Sequence, residues 1–165
     1  MAEAAAADPR QPPERLLASD LADDMGFLLA RASAATSRAA NVALAPLGLR
    51  VRSLSVLWLA SQGLRPTQRE LSDFLDLDPS QTVGLVDDLQ QRGLIRREPD
   101  ERDRRSRIVV ATPQGKRLLR RAVAAAQAAG DTSAEHLTDD ERKTLLGLLT
   151  RIAFPAPEPP PDGAS

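Results

Sequence analysis

The chain has 165 residues, 42% of them apolar but only 2% aromatic, and a formal net charge of −1. That length allows one compact domain, with a core of Leu, Ala, Val and Ile that suits a mostly helical protein. The absence of cysteine excludes disulfides, Cys-ligated zinc and thiol redox sensing, and the single histidine, His136, argues against a His-ligated metal.

Residues 1–15 are Ala, Pro and charge without periodicity, and predict a disordered arm. No apolar run there has the make-up of a signal peptide and none reaches membrane-spanning length, so a cytoplasmic chain with no membrane partner is expected. A first helix is predicted over 16–44, ending before Pro46 and Gly48, with Leu21, Met25, Leu28, Leu29 and Ala32 as its apolar stripe. A second follows over 52–61, where Leu54, Leu57 and Trp58 recur at helical spacing and Gly63 stops it.

Two short helices then announce their own starts. Thr67-Gln-Arg-Glu70 has the form of a capping box, and Asp78-Pro79-Ser80-Gln81 sets an Asp cap before Pro at the first helical position. The second of the pair runs to Arg92 and stops at Gly93. The linker 76–78 is as tight as a helix-turn-helix requires. Segments 94–98 and 107–111 then change period and flank a polar stretch, 99–106, which predicts a β-hairpin with a charged tip. Thr112-Pro113 opens a long helix to about residue 129, and Thr138-Asp-Asp-Glu141 opens a last one with Leu145, Leu146, Leu148, Leu149 and Ile152. The Pro-rich stretch 154–165 predicts a disordered tail.

The fold expected is mostly α with a small β-hairpin wing, an α+β winged helix of about six helices. Segment 49–111 forms the DNA-binding lobe, 16–46 an N-terminal dimerisation helix and 112–153 the C-terminal dimerisation helices. The Ala/Leu-rich terminal helices surround a core too small to bury them all, so a partner helix is expected.

Charge distribution supports duplex DNA as the ligand of the lobe. Between Arg92 and Arg121 stand eleven basic residues, opposed only by Glu98, Asp100, Glu101 and Asp103. On the second helix of the pair, helical geometry turns Thr82, Leu85, Val86 and Leu89 toward the core and Ser80, Gly84, Asp87 and Gln91 away from it. Gln81 is placed to address adenine, Ser80 a phosphate or base, and Val83 a thymine methyl, while Gly84 lets the backbone approach closely. Arg102, Arg104 and Arg105 at the hairpin tip suit phosphates or a minor groove. Asp87 and Asp88, which would repel phosphate, are expected to pair with Arg92 or the wing arginines. Thr67 and Gln68 on the first helix, Thr82 on the second, and Arg97 and Asp103 on the hairpin complete the candidate DNA-binding set.

These residues resemble a family. Thr67-Gln-Arg-Glu-Leu71, the run from Val83 to Ile95, and Asp103-Arg-Arg105 followed by Ala111-Thr112 and Gly115 are similar to the motifs of MarR-type transcription regulators over 49–115. Ala111 departs from the family's usual Leu, and Gly84 from a frequent Arg. The resemblance implies a homodimeric repressor on a palindromic site, released by a small-molecule effector, with no cofactor. It further implies that Asp103 orients the wing arginines and Arg105 enters the minor groove. It also implies an effector pocket where the dimer helices meet the lobe, for whose lining Arg31, Arg38, Arg50 and Trp58 are candidates, although Trp58 reads better as core. An enzyme is not expected: there is no nucleophile elbow, Gly-rich phosphate loop or metal constellation. The alternative reading is a winged-helix protein–protein adaptor without DNA binding, which the near-neutral net charge and Gly84 keep open.

Overall fold

The computed structural model describes residues 12–101, 103 and 105–155. In chain order these form α1 (Glu14–Leu17), α2 (Met25–Leu44), α3 (Val51–Ser61), α4 (Gln68–Leu75), α5 (Pro79–Gln91), β1 (Ile95–Pro99), β2 (Arg107–Ala111), α6 (Pro113–Ser133) and α7 (Asp139–Ala153). Short 3₁₀ turns, Asp20–Asp23 and Ala45–Leu47, lie on either side of α2.

The N-terminal region departs from expectation. Asp24 holds extended backbone and its carboxylate accepts the N–H of Phe27 at 2.7 Å, so the long helix begins at Met25. Ser19, Asp20, Asp23 and Asp24 explain the break, because short polar side chains compete for nearby backbone groups and favour caps over helix interiors. Glu14 and Arg15, expected in the arm, belong to α1. At the other end α6 continues to Ser133, and the long helix is not stopped at residue 129.

The lobe is built as its caps dictate. Glu70 N–H donates to Thr67 Oγ1 at 3.2 Å, and Thr67 N–H donates to Glu70 Oε2 at 2.7 Å. Asp78 caps α5 through the Ser80 N–H at 2.7 Å. The Ser80 hydroxyl first, then that N–H, hold the Asp78 carboxyl below the ordinary aspartate range. Asp76 in left-handed backbone (φ 49°) makes the turn between α4 and α5, and Gly93 (φ 68°) ends α5. The strands pair antiparallel from Ile95↔Ala111 to Pro99↔Arg107. A bridge between Thr67 and Ile108, with Val109 N–H donating to Pro66 O at 2.8 Å, seats this hairpin on the start of α4.

The core runs through the lobe into α6. Leu44, Leu57, Leu71, Val86, Leu89 and Val109 are fully buried. Both α2 and α3 pack against α6. By contrast α7 buries no residue: Leu145, Leu146, Leu148, Leu149 and Ile152 are all exposed. Just past it, Phe154 stacks on Phe74 of α4 with ring centroids 5.5 Å apart. Among the described residues no single helix is long and apolar enough to cross a membrane.

Candidate nucleic-acid interface

The outer face of α5 is the candidate interface. Thr82, Val86 and Leu89 are buried and Leu85 is half-buried, which fixes the helix's rotation. Ser80, Gln81, Val83, Gly84, Asp87 and Gln91 are exposed as a result. No atom lies within 4 Å of where a Cβ would stand on Gly84, so the backbone there is open to close approach. Thr82 leaves the candidate set. It is fully buried and its hydroxyl donates to Asp78 O at 3.4 Å, because its position faces the core with Val86 and Leu89.

Two other candidates are already engaged. Gln81 Oε1 accepts from Arg52 Nη1 at 3.2 Å, which orients its amide. The Ser80 hydroxyl donates to the Asp78 carboxylate at 2.6 Å and so serves the cap.

Arg97 and Gln68, expected to face DNA, bond each other instead. Arg97 donates from Nε to Gln68 Oε1 (2.8 Å), from Nη1 to Gln90 Oε1 (2.7 Å) and from Nη2 to Asp87 Oδ1 (2.5 Å). One guanidinium on β1 thereby ties the hairpin to α4 and α5 together. The side chain is 21% exposed, and its donors point into the lobe. Asp88 is neutralised differently, by Arg92 at 3.2 Å one turn on. The two carboxylates on α5 thus pair with one wing arginine and with Arg92, as expected. Thr67 is half-buried and occupied by its capping box.

At the hairpin tip, Asp103 builds the turn. Its carboxylate accepts the Arg105 N–H and the Ser106 hydroxyl, both at 3.0 Å, and its carbonyl accepts the Ser106 N–H at 2.9 Å. It therefore orders the backbone that carries Arg105, whose side chain is exposed. Arg102 and Arg104 lie outside the described residues.

Away from α5, Arg31 and Arg38 stand on α2 and Arg50 caps α3. Arg38 and Arg50 border a groove of about 670 Å³ with Asn41, Val42, Ala45 and Gly48. Arg31 and Arg38 border an adjoining groove of about 420 Å³. Trp58 is not with them and is not core. It is 39% exposed and lines a separate cleft with Leu59, Phe74 and Leu75.

Sequence reading missed Arg52 and the reach of Arg92, whose Nη1 donates to Gly48 O at 2.8 Å, 44 residues away. The i,i+4 spacing to Asp88 is visible in the sequence, but the longer contact leaves no sequence signal.

Comparison with known proteins agrees with this geometry. The MarR family model matches residues 48–106. The putative transcriptional regulatory protein for the hcr operon of Thauera aromatica is 30% identical over 138 residues, 83% of each chain. The structure of CouR from Rhodococcus jostii RHA1, bound to p-coumaroyl-CoA, is 44% identical with a TM-score of 0.76, covering 84% of this chain and 98% of that one. The transcriptional repressor CouR bound to a 23-mer DNA duplex is 31% identical with a TM-score of 0.75, covering 82% and 96%. The chain is therefore a winged-helix, DNA-binding transcription regulator of the MarR family, and not an enzyme.

Proposed function

We propose that the chain is a repressor that binds a palindromic duplex as a homodimer and leaves it when an acyl-CoA thioester binds. The observation that carries this is the exposed outer face of α5, held beside the hairpin by Arg97, with Arg105 at the tip. A helix so presented fits a major groove, with the hairpin reaching the flanking backbone or minor groove. Within this reading Ser80, Gln81, Val83 and Gly84 face the bases, and Arg105 faces the phosphates or the minor groove.

Dimerisation through α7 and the N-terminal segment accounts for the exposed Leu145, Leu149, Leu16 and Leu21. One similar regulator carries p-coumaroyl-CoA and another carries DNA, which supports DNA binding opposed by a thioester effector.

Selection of bound sites from random duplex DNA tests the reading, followed by affinity measured against salt. A two-fold symmetric site is expected, with log Kd against log salt changing by about 0.9 per phosphate neutralised. Absence of any salt-dependent duplex binding would sink this reading in favour of a protein–protein adaptor.

A further inference from the structure

We infer, resting on the reading that the outer face of α5 meets the bases, that Arg52 sets which base Gln81 reads. The pair presents hydrogen-bond donors only and selects guanine, where a Gln81 without Arg52 selects adenine.

Few groups on that face are free to read a base. The Ser80 hydroxyl is given to the Asp78 carboxylate, and the Asp87 carboxylate accepts from Arg97. Val83 is apolar and Gly84 has no side chain. Gln81 is exposed, its Oε1 accepts from Arg52, and its amide nitrogen donates to none of the described residues. Direct reading by the first turns of α5 therefore depends on how this one amide is turned.

Arg52 is well placed to turn it. It is the second residue of α3, and the start of that helix is anchored independently of the contact. The Val51 N–H donates to Asn41 Oδ1 of α2 at 2.9 Å, the Arg50 N–H donates to Ser53 Oγ at 3.0 Å, and Ser53 and Leu54 are buried. Packing of α3 against α5 then brings Arg52 Nη1 to 3.2 Å from Gln81 Oε1. Arg65, Arg92, Arg96 and Arg97 each meet a carboxylate. Among the described residues Arg52 meets none, so no anion draws it off the amide.

The chemistry follows from what each group can do. A guanidinium only donates, so it meets the carbonyl end of the amide and leaves the Nε2 hydrogens to turn outward. Glutamine reads adenine by accepting from N6 and donating to N7 at once. With Oε1 held by a cation, the accepting half of that pair is lost. Guanine offers two acceptors, N7 and O6, on its major-groove edge, which suit the outward donors and the adjacent positive charge. Thymine offers one acceptor beside a methyl group, and cytosine a donor that meets a donor. Taken alone Gln81 suits adenine; with Arg52 behind it, guanine.

The test is selection of bound sites from random duplex DNA by the full chain and by Arg52→Ala, Gln81→Ala and the double variant. Affinities for duplexes that differ at one base pair in each half-site follow. Gln81→Ala should flatten the preference at one position and so identify it. There the wild type should prefer guanine over adenine by about tenfold, and Arg52→Ala should prefer adenine by a similar factor, with the rest of the site unchanged. The double variant should match Gln81→Ala at that position, because Arg52 acts through Gln81. Arg52→Met, which keeps the aliphatic stem and loses the donors, repeats the comparison if Arg52→Ala does not fold by circular dichroism. Adenine at that position for the wild type overturns the inference, as does guanine retained by Arg52→Ala. An equal loss of affinity for every site in Arg52→Ala overturns it too, since a merely structural arginine would act that way. These three results leave DNA binding standing. A wild type without salt-dependent duplex binding sinks the proposed function and this inference together.

Discussion

Arg97 and Arg105 illustrate how a residue's partners decide what it does. Arg97 gives its donors to Gln68, Gln90 and Asp87, whereas Arg105 sits exposed on a turn built by Asp103. Arg97→Ala should weaken DNA binding by loosening the hairpin while leaving the salt slope unchanged, because no phosphate contact is lost. Arg105→Ala should lower the slope by about 0.9, one phosphate's worth, as well as the affinity. Fluorescence anisotropy at several salt concentrations distinguishes them, and identical slopes for Arg105→Ala and wild type would contradict the tip assignment. Gln81→Ala should alter base preference at one position, costing about 1–3 kcal/mol against the preferred base. An unchanged set of selected sites would show that Arg52 holds the Gln81 amide away from the bases. At this scale the sequence showed which residues face outward on α5, since helical period fixes that. It did not show which outward or flanking groups are already satisfied, because Gln68 and Arg97 are 29 residues apart.

Among the elements, the starts of α4, α5 and α7 were legible because capping is local: donor and acceptor lie within three residues. The break before α2 was harder to read, because Leu21 and Met25 keep helical spacing across it and only the Asp24 cap reveals it. The motif Thr112…Gly115 was legible as a pattern, but its cause is tertiary. The Thr112 hydroxyl donates to Gly93 O at 2.7 Å and accepts the Gly115 N–H at 3.0 Å, locking the start of α6 to the end of α5. A Cβ on Gly115 would stand 2.0 Å from Leu94 O, a backbone atom with little freedom to move. Gly115→Ala should therefore destabilise the fold by about 1–3 kcal/mol, overpacking outweighing the helix-propensity gain. Gly84→Ala should do the opposite, stabilising by up to about 1 kcal/mol, since open space surrounds it. Urea denaturation of both variants checks the signs, and a stabilised Gly115→Ala would mean that the backbone at Leu94, just before β1, yields to α6.

For the whole molecule, the composition of the terminal helices leads to the expectation of a partner, and the exposed residues of α7 are where we propose that it sits. A 15-residue helix without a buried side chain is a poor candidate for stability in isolation. Leu145, Leu149 and Ile152 project from one side of α7, and burying each against a second copy contributes about 1.5–3 kcal/mol. Leu145→Asp/Leu149→Asp places two carboxylates on that side and should yield monomers by light scattering, with the lobe still folded because its core lies elsewhere. DNA binding should fall by about 10²–10⁴, the factor that joining two half-site contacts supplies. The remaining monomer should still select a single half-site, whereas the wild type selects two, about one helical turn or 34–36 Å apart. A variant that stays dimeric on this evidence would move the subunit contact off α7, and the exposed leucines of α1 and the turn after it would have to carry it alone.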